Sequence, residues 1–433
     1  TSSSTGKHNL LKVNSVHTSN LIIYFQCMPK VIKDEKLIEK FLTRGVETII
    51  PSPEALREKL MSGERIKAYQ GFDPTGPHLH IGHSIGIRAL RILQQLGHEV
   101  IFLVGDFTAM IGDPGGERQR RIMTEEEVQK NMEGWKKQAS QLIDFEGNNP
   151  AKFMRNSEWL SKLSLKDLIE LMSKTTVQQM LERDLFQRKL KELTPIGLQE
   201  FMYPLMQGYD SVAMEVDLEI GGNDQIFNMI MGRNLSRIML NKEKFIRGHE
   251  LMEAPDTATM SKSSGNGINL SDTPEDVYGK AMSYPDELIL KGLRLLTDMP
   301  IEEIWEIQEK IKAGDNPMPY KKKMAYEITK TIKGQKLADK AQKFFEKTVQ
   351  NKEITPEATI KTNVSGTLQL LEFLKKIDTE NNSLSKIKRV IEQGGVEING
   401  NKITDPFLII NFSNGTIVKF GKRKFYEVKK EEN

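Results

Sequence analysis

Residues 69–83 have the sequence YQGFDPTGPHLHIGH, and this stretch predicts the fold of the region around it. The residues that lead into it, 67–72, have the composition of a strand that enters a loop. The residues that leave it, 83–96, place apolar side chains at helical spacing on one face. A strand that passes through a glycine-containing loop into a helix presents backbone N–H groups and a helix dipole, which suit a phosphate.

Outward from this stretch, strand and helix patterns alternate. Strands are predicted at residues 67–72, 100–104, 152–154 and 216–220, and helices at 83–96, 124–142, 164–190 with a break, 198–213 and 224–239. Such alternation predicts an α/β fold with a parallel sheet covered by helices on both faces. After residue 270 the patterns are helical as far as residue 346. A linker rich in Thr, Glu and Pro is predicted at residues 352–363, and strand patterns return in the tail.

Composition limits the class of protein. The chain has 433 residues, enough for two or three domains, and a net charge of +3. Its single cysteine, Cys27, excludes an intrachain disulfide and a cysteine-rich zinc site. No apolar run approaches the roughly 18 residues that a membrane span needs. We therefore expect a soluble protein with no membrane association and no metal site of its own.

Basic residues are concentrated in two late stretches. Residues 321–352 hold ten lysines against three acidic residues, and the tail from residue 384 has a net charge of +4, so the remainder is acidic. Either stretch alone also fits an ordinary solvated lysine face. The two together favour a polyanionic partner such as RNA.

Residues 1–27 differ from the rest, since they hold five serines, three threonines and no acidic residue. We interpret them as a disordered leader or tag, with Met28 as a candidate start. A transit peptide is the alternative, although the stretch lacks the arginine typical of such signals. The first interpretation predicts a cytoplasmic protein, and the second predicts a mitochondrial or plastid one.

Three further polar stretches, at residues 104–121, 219–225 and 259–265, have the residue types of nucleotide-binding loops. The first places Asp113 in a tight turn beyond a strand end, the second places Asp224 after a Gly-Gly pair, and the third places Lys262 in a Ser/Gly loop. Each alone fits a solvent loop or a helix cap equally well. His80 and His83 have the spacing of a metal pair, but a third ligand is not evident nearby.

Taken together, these stretches resemble the class I aminoacyl-tRNA synthetases. Residues 80–83, HIGH, match one signature of that family, and residues 260–263, MSKS, match four of the five positions of its KMSKS signature. Within the family the chain is similar to tyrosyl-tRNA synthetases of bacterial type, over about residues 31–428. The motifs that carry this narrower resemblance are residues 69–75, 112–114, 203–210 and 221–225.

The resemblance implies a domain order and a reaction. It implies a Rossmann-like catalytic domain at residues 28–270 with an inserted helical connective segment, an all-α anticodon-side domain at 271–352, and a linker with a small α+β RNA-binding domain at 353–433. Such an enzyme activates L-tyrosine with ATP and Mg²⁺, releases pyrophosphate, and transfers the tyrosyl group to the 3′ end of tRNA(Tyr). The family acts as a homodimer and uses no tightly bound cofactor.

The resemblance also implies site residues. Tyr69 and Asp210 should bond the phenolic hydroxyl of the substrate. A phenylalanine would leave both unpaired, which is costly, and tyrosyl-tRNA synthetases are the standard example of this discrimination. The other matches assign the amino group to Asp113, Tyr203 and Gln207, the carboxylate end to Gln225, the adenosine to Gly71, Asp73, Gly82, His83, Gly222 and Asp224, the polyphosphate to Thr75 and His80, and the leaving pyrophosphate to Lys262. Predicted catalytic residues are Thr75, His80, His83 and Lys262.

Two positions depart from the family pattern. Thr259 replaces the first lysine of the KMSKS signature, and Glu117 stands where some members have a basic residue. Two positive charges expected near the pyrophosphate are therefore missing. Arg118, Arg120 or Arg121 is a candidate replacement, and the sequence does not say which.

Residues 385–400 resemble the S-four-type RNA-binding domain named after a ribosomal protein. A short helix carries Lys386, Lys388 and Arg389, which we predict to bind tRNA phosphates, and Asn399-Gly400 predicts a hairpin turn. The alternative is a basic appendage without an RNA role.

Two rival functions are kept. A tryptophanyl-tRNA synthetase would share the fold, but the Tyr69 and Asp210 pair and the RNA-binding tail argue against it. The second rival is an RNA-binding protein that has lost amino-acid activation, and only Thr259 and Glu117 favour it.

Overall fold

The computed structural model of the protein describes residues 29–112, 123–252, 267–350, 359–377, 383–421 and 424–429. The chain divides into two compact units. The first runs to Ser271 and includes Arg294–Leu296, and the second comprises Asp272–Leu293 and the chain from Thr297 onward. The domain boundaries drawn from the sequence stay predictions. No described helix is long and apolar enough to cross a membrane.

The first unit is built on a six-stranded sheet in the order β1-β6-β5-β2-β3-β4. Its strands are β1 Val46–Ile50, β2 Lys67–Phe72, β3 Glu99–Val104, β4 Lys152–Arg155, β5 Leu218–Gly222 and β6 Phe245–His249. Strands β6, β5, β2, β3 and β4 are parallel, and β1 pairs antiparallel with β6 at one edge. The predicted α/β fold is confirmed, with an antiparallel edge strand that the prediction lacked.

Strands β1 and β6 were both missed for physical reasons. β1 is a five-residue edge strand whose side chains are mostly half-buried, so its pattern is weak. β6 has the sequence FIRGH, in which Arg247 is buried although it is charged. Arg247 Nε donates to the Phe41 carbonyl oxygen at 2.8 Å, and its guanidinium lies over the Phe41 ring. A cation whose Nε and Nη2 donate to backbone carbonyls in this way can occupy an inner strand of the sheet, although a charge in the sequence argues against one.

Helices cover this sheet, and several differ from the prediction. They are α1 Glu35–Thr43, α2 Pro53–Met61, α3 Ile81–Gln95, α4 Asp106–Ile111, α5 Glu125–Met132, α6 Trp135–Ala139, α7 Ser157–Leu160, α8 Leu165–Met172, α9 Val177–Leu181, α10 Asp184–Lys191, α11 Leu198–Ala213 and α12 Ile226–Leu240. The predicted helix at 124–142 is two helices, and that at 164–190, predicted with one break, is three. The first of its two breaks arises because Thr176 caps a new helix in the middle of the pattern.

The second unit begins with helices and ends in a mixed region. The helices of residues 274–345 are α13 Pro274–Ala281, α14 Ile289–Leu296, α15 Ile301–Lys312, α16 Met318–Lys333 and α17 Gln335–Phe345. The mixed region contains β7 Thr359–Thr362, β8 Gly366–Gln369, α18 Leu370–Ile377, α19 Leu384–Glu392, β9 Val396–Ile398, β10 Asn401–Ile403, β11 Ile409–Phe412, β12 Ile417–Phe420 and β13 Lys424–Val428. The predicted order of an all-α region and a small α+β region is confirmed.

The tail is folded around a five-stranded sheet in the order β10-β9-β12-β13-β7. The predicted turn at Asn399-Gly400 joins the antiparallel pair β9 and β10, and both residues have positive φ. The predicted linker at 352–363 is wrong at its end, because Thr359–Thr362 forms β7, parallel to β13. The short strand was hidden because its pairing partner lies at the far end of the module.

Candidate active site

One cavity lies at the carboxyl ends of the central strands of the first unit. Its volume is about 330 Å³, and β2 and β5 both contribute to its wall. The chain passes from β2 to β3 on one side, whereas β5 pairs with β2 on the other. Open α/β sheets bind ligands where the strand order reverses in this way. The cavity brings together thirteen of the residues predicted from sequence: Tyr69, Gly71, Asp73, Thr75, His80, Gly82, His83, Tyr203, Gln207, Asp210, Gly222, Asp224 and Gln225.

Two polar groups lie at one end of the cavity. Tyr69, on β2, is buried and its hydroxyl lies 3.0 Å from Ser211 Oγ. Asp210, on α11, is also buried and accepts from Trp159 Nε1 at 2.7 Å and from Asn156 Nδ2 at 3.2 Å. Burial raises the pKa of the Tyr69 hydroxyl well above its usual value, and the charges of Glu219 and Asp210 raise it further. Tyr69 therefore keeps its proton and can donate it.

Burial also raises the pKa of the Asp210 carboxyl, against the lowering effect of the hydrogen bonds from Trp159 and Asn156. Both carboxyl oxygens accept from N–H groups, so the surroundings satisfy the ionised form. The two ends of the pair thus offer one hydroxyl donor and one carboxylate acceptor.

A second group of polar side chains lies along α11. Asp73 accepts from the Tyr203 hydroxyl and from Thr108 Oγ1, each at 2.8 Å. Gln207 Nε2 donates to Glu219 Oε1 at 3.0 Å. Asn228 Nδ2 donates to both Gln207 Oε1 and Gln225 Oε1 at 2.9 Å, and Asn228 has no exposed surface. These bonds fix the amide orientation of each glutamine, which exposes a defined set of donors and acceptors to the cavity.

The N-terminus of α3 forms another wall. His80 is the N-cap, and its backbone N–H donates to His83 Nδ1 at 3.0 Å, so the neutral His83 ring carries its proton on Nε2. The two rings are stacked with centroids 3.7 Å apart. A Cβ at Gly82 would lie 3.0 Å from the His80 ring. The histidines cap the helix and also line the cavity, so a structural role and a phosphate-binding role are compatible. Among the described residues, no group of three or more His, Cys, Asp or Glu is placed to hold a metal ion.

The glycines at the two strand ends differ in how much space a side chain would have. At Gly222 a Cβ would lie 2.3 Å from Asp224 Oδ1 and 2.8 Å from a Leu251 methyl carbon, so the protein itself requires glycine there. At Gly71 the nearest atom to a Cβ would be 3.9 Å away, an ordinary contact. Packing does not explain Gly71, and its position on the cavity wall favours a close approach by a ligand.

Some predicted residues lie elsewhere. Asp113 and Lys262 fall outside the described residues, as do Thr259, Glu117 and the three arginines 118, 120 and 121. Lys386, Lys388 and Arg389 lie on α19 in the second unit, where Lys386 and Arg389 are exposed and Lys388 is half-buried with its Nζ 5.3 Å from the centre of the Phe407 ring. The roles assigned to all these residues stay predictions.

Several residues of the site were missed. They are Thr108, Asn156, Trp159, Ser211, Glu219, Lys244 and His249. A signal existed for Glu219 and Lys244, because a charge within or beside an apolar strand requires a partner. Burial lowers the pKa of His249 to about 4, so this cavity-lining ring is neutral near pH 7. No sequence signal pointed to Trp159 or Asn156, since only the fold brings the chain after β4 beside Asp210 on α11.

Comparison with known proteins identifies the family. The model of the family described as "tRNA synthetases class I (W and Y)" matches residues 61–350. The tyrosine–tRNA ligase of Thermotoga maritima is 41% identical over 392 residues, which cover 90% of this chain and 96% of that protein. The chain belongs to the tyrosine–tRNA ligase family. The Aquifex aeolicus tyrosine–tRNA ligase is 40% identical and covers 90% of this chain and 97% of its own length.

Solved structures support the fold of this family member. A C-terminally truncated mitochondrial tyrosyl-tRNA synthetase from Coccidioides posadasii covers 76% of this chain and all of its own, with a TM-score of 0.60 and 22% identity. An Archaeoglobus fulgidus tyrosyl-tRNA synthetase complexed with L-tyrosine covers 72% of this chain and all of its own, with a TM-score of 0.55 and 24% identity. At such identities the likeness concerns the fold alone.

Proposed function

We propose that this protein is an active tyrosine–tRNA ligase. The tyrosine carboxylate attacks the α-phosphorus of ATP, which forms tyrosyl-adenylate and releases pyrophosphate. A terminal ribose hydroxyl of tRNA(Tyr) then attacks the tyrosyl carbonyl and releases AMP. The observation that carries the proposal is one cavity that joins the Tyr69 and Asp210 pair to the N-terminus of α3.

The first end of the cavity suits a phenol. A buried phenolic hydroxyl needs a donor and an acceptor, and Tyr69 and Asp210 supply one of each. The amino group, a cation, is assigned to Tyr203, whose hydroxyl is oriented by its bond to Asp73, and to the ordered Gln207. Asp113, outside the described residues, would add the carboxylate. Gln225 is oriented by Asn228 toward the carboxylate end.

The second end suits a nucleotide. The α3 N-terminus offers N–H groups and a positive dipole to the phosphates, and Thr75, His80 and His83 lie beside it. Gly71 and Gly82 leave the strand and helix backbones accessible to adenosine, and Asp224 can accept from ribose hydroxyls. Mg²⁺ enters with ATP as part of the substrate and is held mainly by phosphate oxygens and water. No side-chain nucleophile and no tightly bound cofactor take part, so catalysis rests on positioning and on charge stabilisation.

The second unit is the proposed tRNA-binding part. α19 carries Lys386, Lys388 and Arg389 on a short basic helix, and phosphate contacts of this kind dominate nucleic-acid affinity. Lys388 lies over the Phe407 ring, which is 53% exposed. A basic helix beside an exposed aromatic ring fits an RNA arm with unpaired bases.

A homodimer is part of the proposal. The segment from α8 to the start of α11 exposes five large apolar side chains: Leu165, Ile169, Val177, Leu193 and Leu198, each 59% exposed or more. Several exposed apolar side chains on one segment favour a protein interface, and a second copy of the chain is the occupant that closed two-fold symmetry favours. Cytoplasmic location, with a mitochondrial or plastid alternative, is proposed on the composition of residues 1–27 alone.

The test is ATP–pyrophosphate exchange with each of the twenty amino acids, followed by aminoacylation of tRNA(Tyr). Exchange with tyrosine only, and charging of tRNA(Tyr), are expected. Exchange with tryptophan instead would favour the other branch of the matched family. Absence of exchange with all twenty, together with RNA binding, would support a protein that has lost activation.

A further inference from the structure

A buried ion pair lies directly behind the Tyr69 end of the cavity. Lys244, just before β6, has no exposed surface, and Glu219, on β5, is 2% exposed. Lys244 Nζ contacts Glu219 Oε2 and donates to Ser211 Oγ at 2.8 Å. A Cβ at Gly232 would lie 2.5 Å from Nζ and 2.8 Å from Ser211 Oγ, so glycine on α12 makes room for this contact.

The ion pair is linked to two residues of the proposed tyrosine site, to Gln207 directly and to Tyr69 through Ser211. Ser211 Oγ lies 3.0 Å from the Tyr69 hydroxyl oxygen, and Glu219 Oε1 accepts from Gln207 Nε2 at 3.0 Å. Replacing a buried ion pair by apolar residues of similar volume is often neutral or stabilising, so stability alone is a weak reason to keep one. A role in orienting its neighbours is the stronger reason.

Donors and acceptors give this network a direction. An ammonium group can only donate, so Ser211 Oγ accepts from Lys244 and keeps one proton to give. The Tyr69 oxygen is 3.0 Å from Ser211 Oγ, and Glu219 Oε2 is 3.4 Å from it. Glu219 Oε2 already accepts from Lys244 Nζ, so the shorter contact, to Tyr69, receives the Ser211 proton. Tyr69 then accepts from Ser211, and its own proton, for which Glu219 also competes, can turn to the cavity.

We infer that Lys244 is a positioning residue for tyrosine specificity, because it fixes Tyr69 as a hydrogen-bond donor through Ser211. This inference rests on the proposed function. Tyr69 donates to the substrate hydroxyl, which in turn donates to Asp210. The chain of hydrogen bonds begins at a cationic donor, Lys244, and ends at an anionic acceptor, Asp210, so every hydroxyl between them donates in the same direction. The ring hydroxyl of tyrosine supplies the last link of this chain.

Loss of the Lys244 ammonium reverses the polarity. Glu219 Oε2, released from Lys244, becomes the best acceptor for the Ser211 proton. Tyr69 then donates its proton to Ser211, so its oxygen can only accept a hydrogen bond from the substrate. A tyrosine hydroxyl meets an acceptor where it needs a donor, whereas phenylalanine, which has no hydroxyl, is unaffected by the reversal.

The test compares amino acids in ATP–pyrophosphate exchange with Lys244→Met. The ratio of kcat/KM for tyrosine to that for phenylalanine should fall about tenfold or more, because a buried mismatch replaces a hydrogen bond. A second probe, 4-aminophenylalanine, carries two N–H donors and a weak acceptor. It should gain relative to tyrosine in the variant, since it can donate both to the reversed Tyr69 and to Asp210.

The matched control is Lys280→Met, which strips the ion pair with Asp272 in the second unit and should leave both ratios within about twofold of their starting values. If Lys244→Met does not fold, Gly232→Ala replaces it, since its methyl group separates Nζ from Ser211 Oγ while both charges remain. The ratios should move in the same direction with a smaller amplitude.

Equal losses for all three amino acids would overturn the inference, because a merely structural role lowers every activity together. Unchanged ratios in a folded variant would overturn it too. Failure of the proposed function itself would look different, since the unmodified protein would then show no exchange with tyrosine.

Discussion

Replacing Asp210 by asparagine removes an acceptor without removing volume. The carboxylate accepts from Trp159 Nε1 and Asn156 Nδ2. The asparagine oxygen will keep the shorter bond to Trp159, so its NH₂ group faces the Asn156 amide. Asn156 cannot simply turn over, because its Oδ1 accepts from the Phe107 N–H and its Nδ2 donates to Thr108 Oγ1, each at 3.0 Å.

The expected size of the effect follows from these bonds. A hydrogen bond to a charged partner contributes about 1.5–3 kcal/mol, and the substrate hydroxyl loses such a partner in Asp210→Asn. That corresponds to a fall of about 10- to 150-fold in kcat/KM for tyrosine. Phenylalanine makes no such bond, so its kcat/KM should change little and the tyrosine-to-phenylalanine ratio should fall by the same factor.

Exchange kinetics with both amino acids measure this ratio. Asp106→Asn is the matched control, because Asp106 is also a buried aspartate, accepting from the Ser157 backbone N–H and Ser157 Oγ, but does not line the cavity. It should cost a similar amount of stability and leave the ratio unchanged. An Asp210→Asn ratio within twofold of the original protein, or an equal fall in the control, would refute the role given to Asp210.

Three further outcomes are expected. A chain ended at Gln350 should retain exchange and lose most tRNA charging, because the cavity lies in the first unit and β7 to β13 are removed as one module. His249→Gln should flatten the pH dependence of stability: the neutral ring has a pKa of about 4 against 6.5 when unfolded, so the original protein should lose about 3 kcal/mol as pH falls through that interval. Lys262→Ala should slow adenylate formation about a hundredfold and leave tyrosine affinity nearly unchanged.

Each of these outcomes can fail in a distinct way. Loss of exchange in a folded, shortened chain would place part of the active site beyond residue 350. Urea midpoints that decline equally with acid in His249→Gln and in the original protein would remove that ring from the titration. A less than threefold effect of Lys262→Ala would move the search for the pyrophosphate clamp to Arg118, Arg120 and Arg121.

The sequence predicted the junctions between strands and helices well. Glycines and histidines after β2 and a glycine pair at the end of β5 indicate places where the backbone approaches a ligand. The fold brings these residues to one cavity. Local signals of this kind depend on a few neighbouring residues. The helical stretch at 164–190 shows the limit, because one break was predicted there and the structure has two, the first at the Thr176 cap.

The residues behind the cavity could not be predicted because they are joined only by tertiary structure. Lys244 and Glu219 are 25 positions apart and lie on or beside neighbouring strands, while Ser211 comes from α11. Strand β7 and its partner β13 show the same limitation over a longer separation. A charged residue in an apolar strand indicates from sequence that it needs an oppositely charged partner. Which residue is that partner depends on how the strands pair in the fold.

The place of β13 in the tail also has a consequence for how the protein is made. β13 is the last described strand, yet it lies between β12 and β7 rather than at an edge. On the ribosome, β7 emerges before β8 to β12, and its described partner is translated only with β13. The first unit can fold while the chain is still growing, whereas the tail sheet forms only once β13 has emerged. In a nascent chain the catalytic unit would therefore fold before the module proposed to bind RNA. If translation stalls before β13, the nascent chain exposes the unpaired edge of β12.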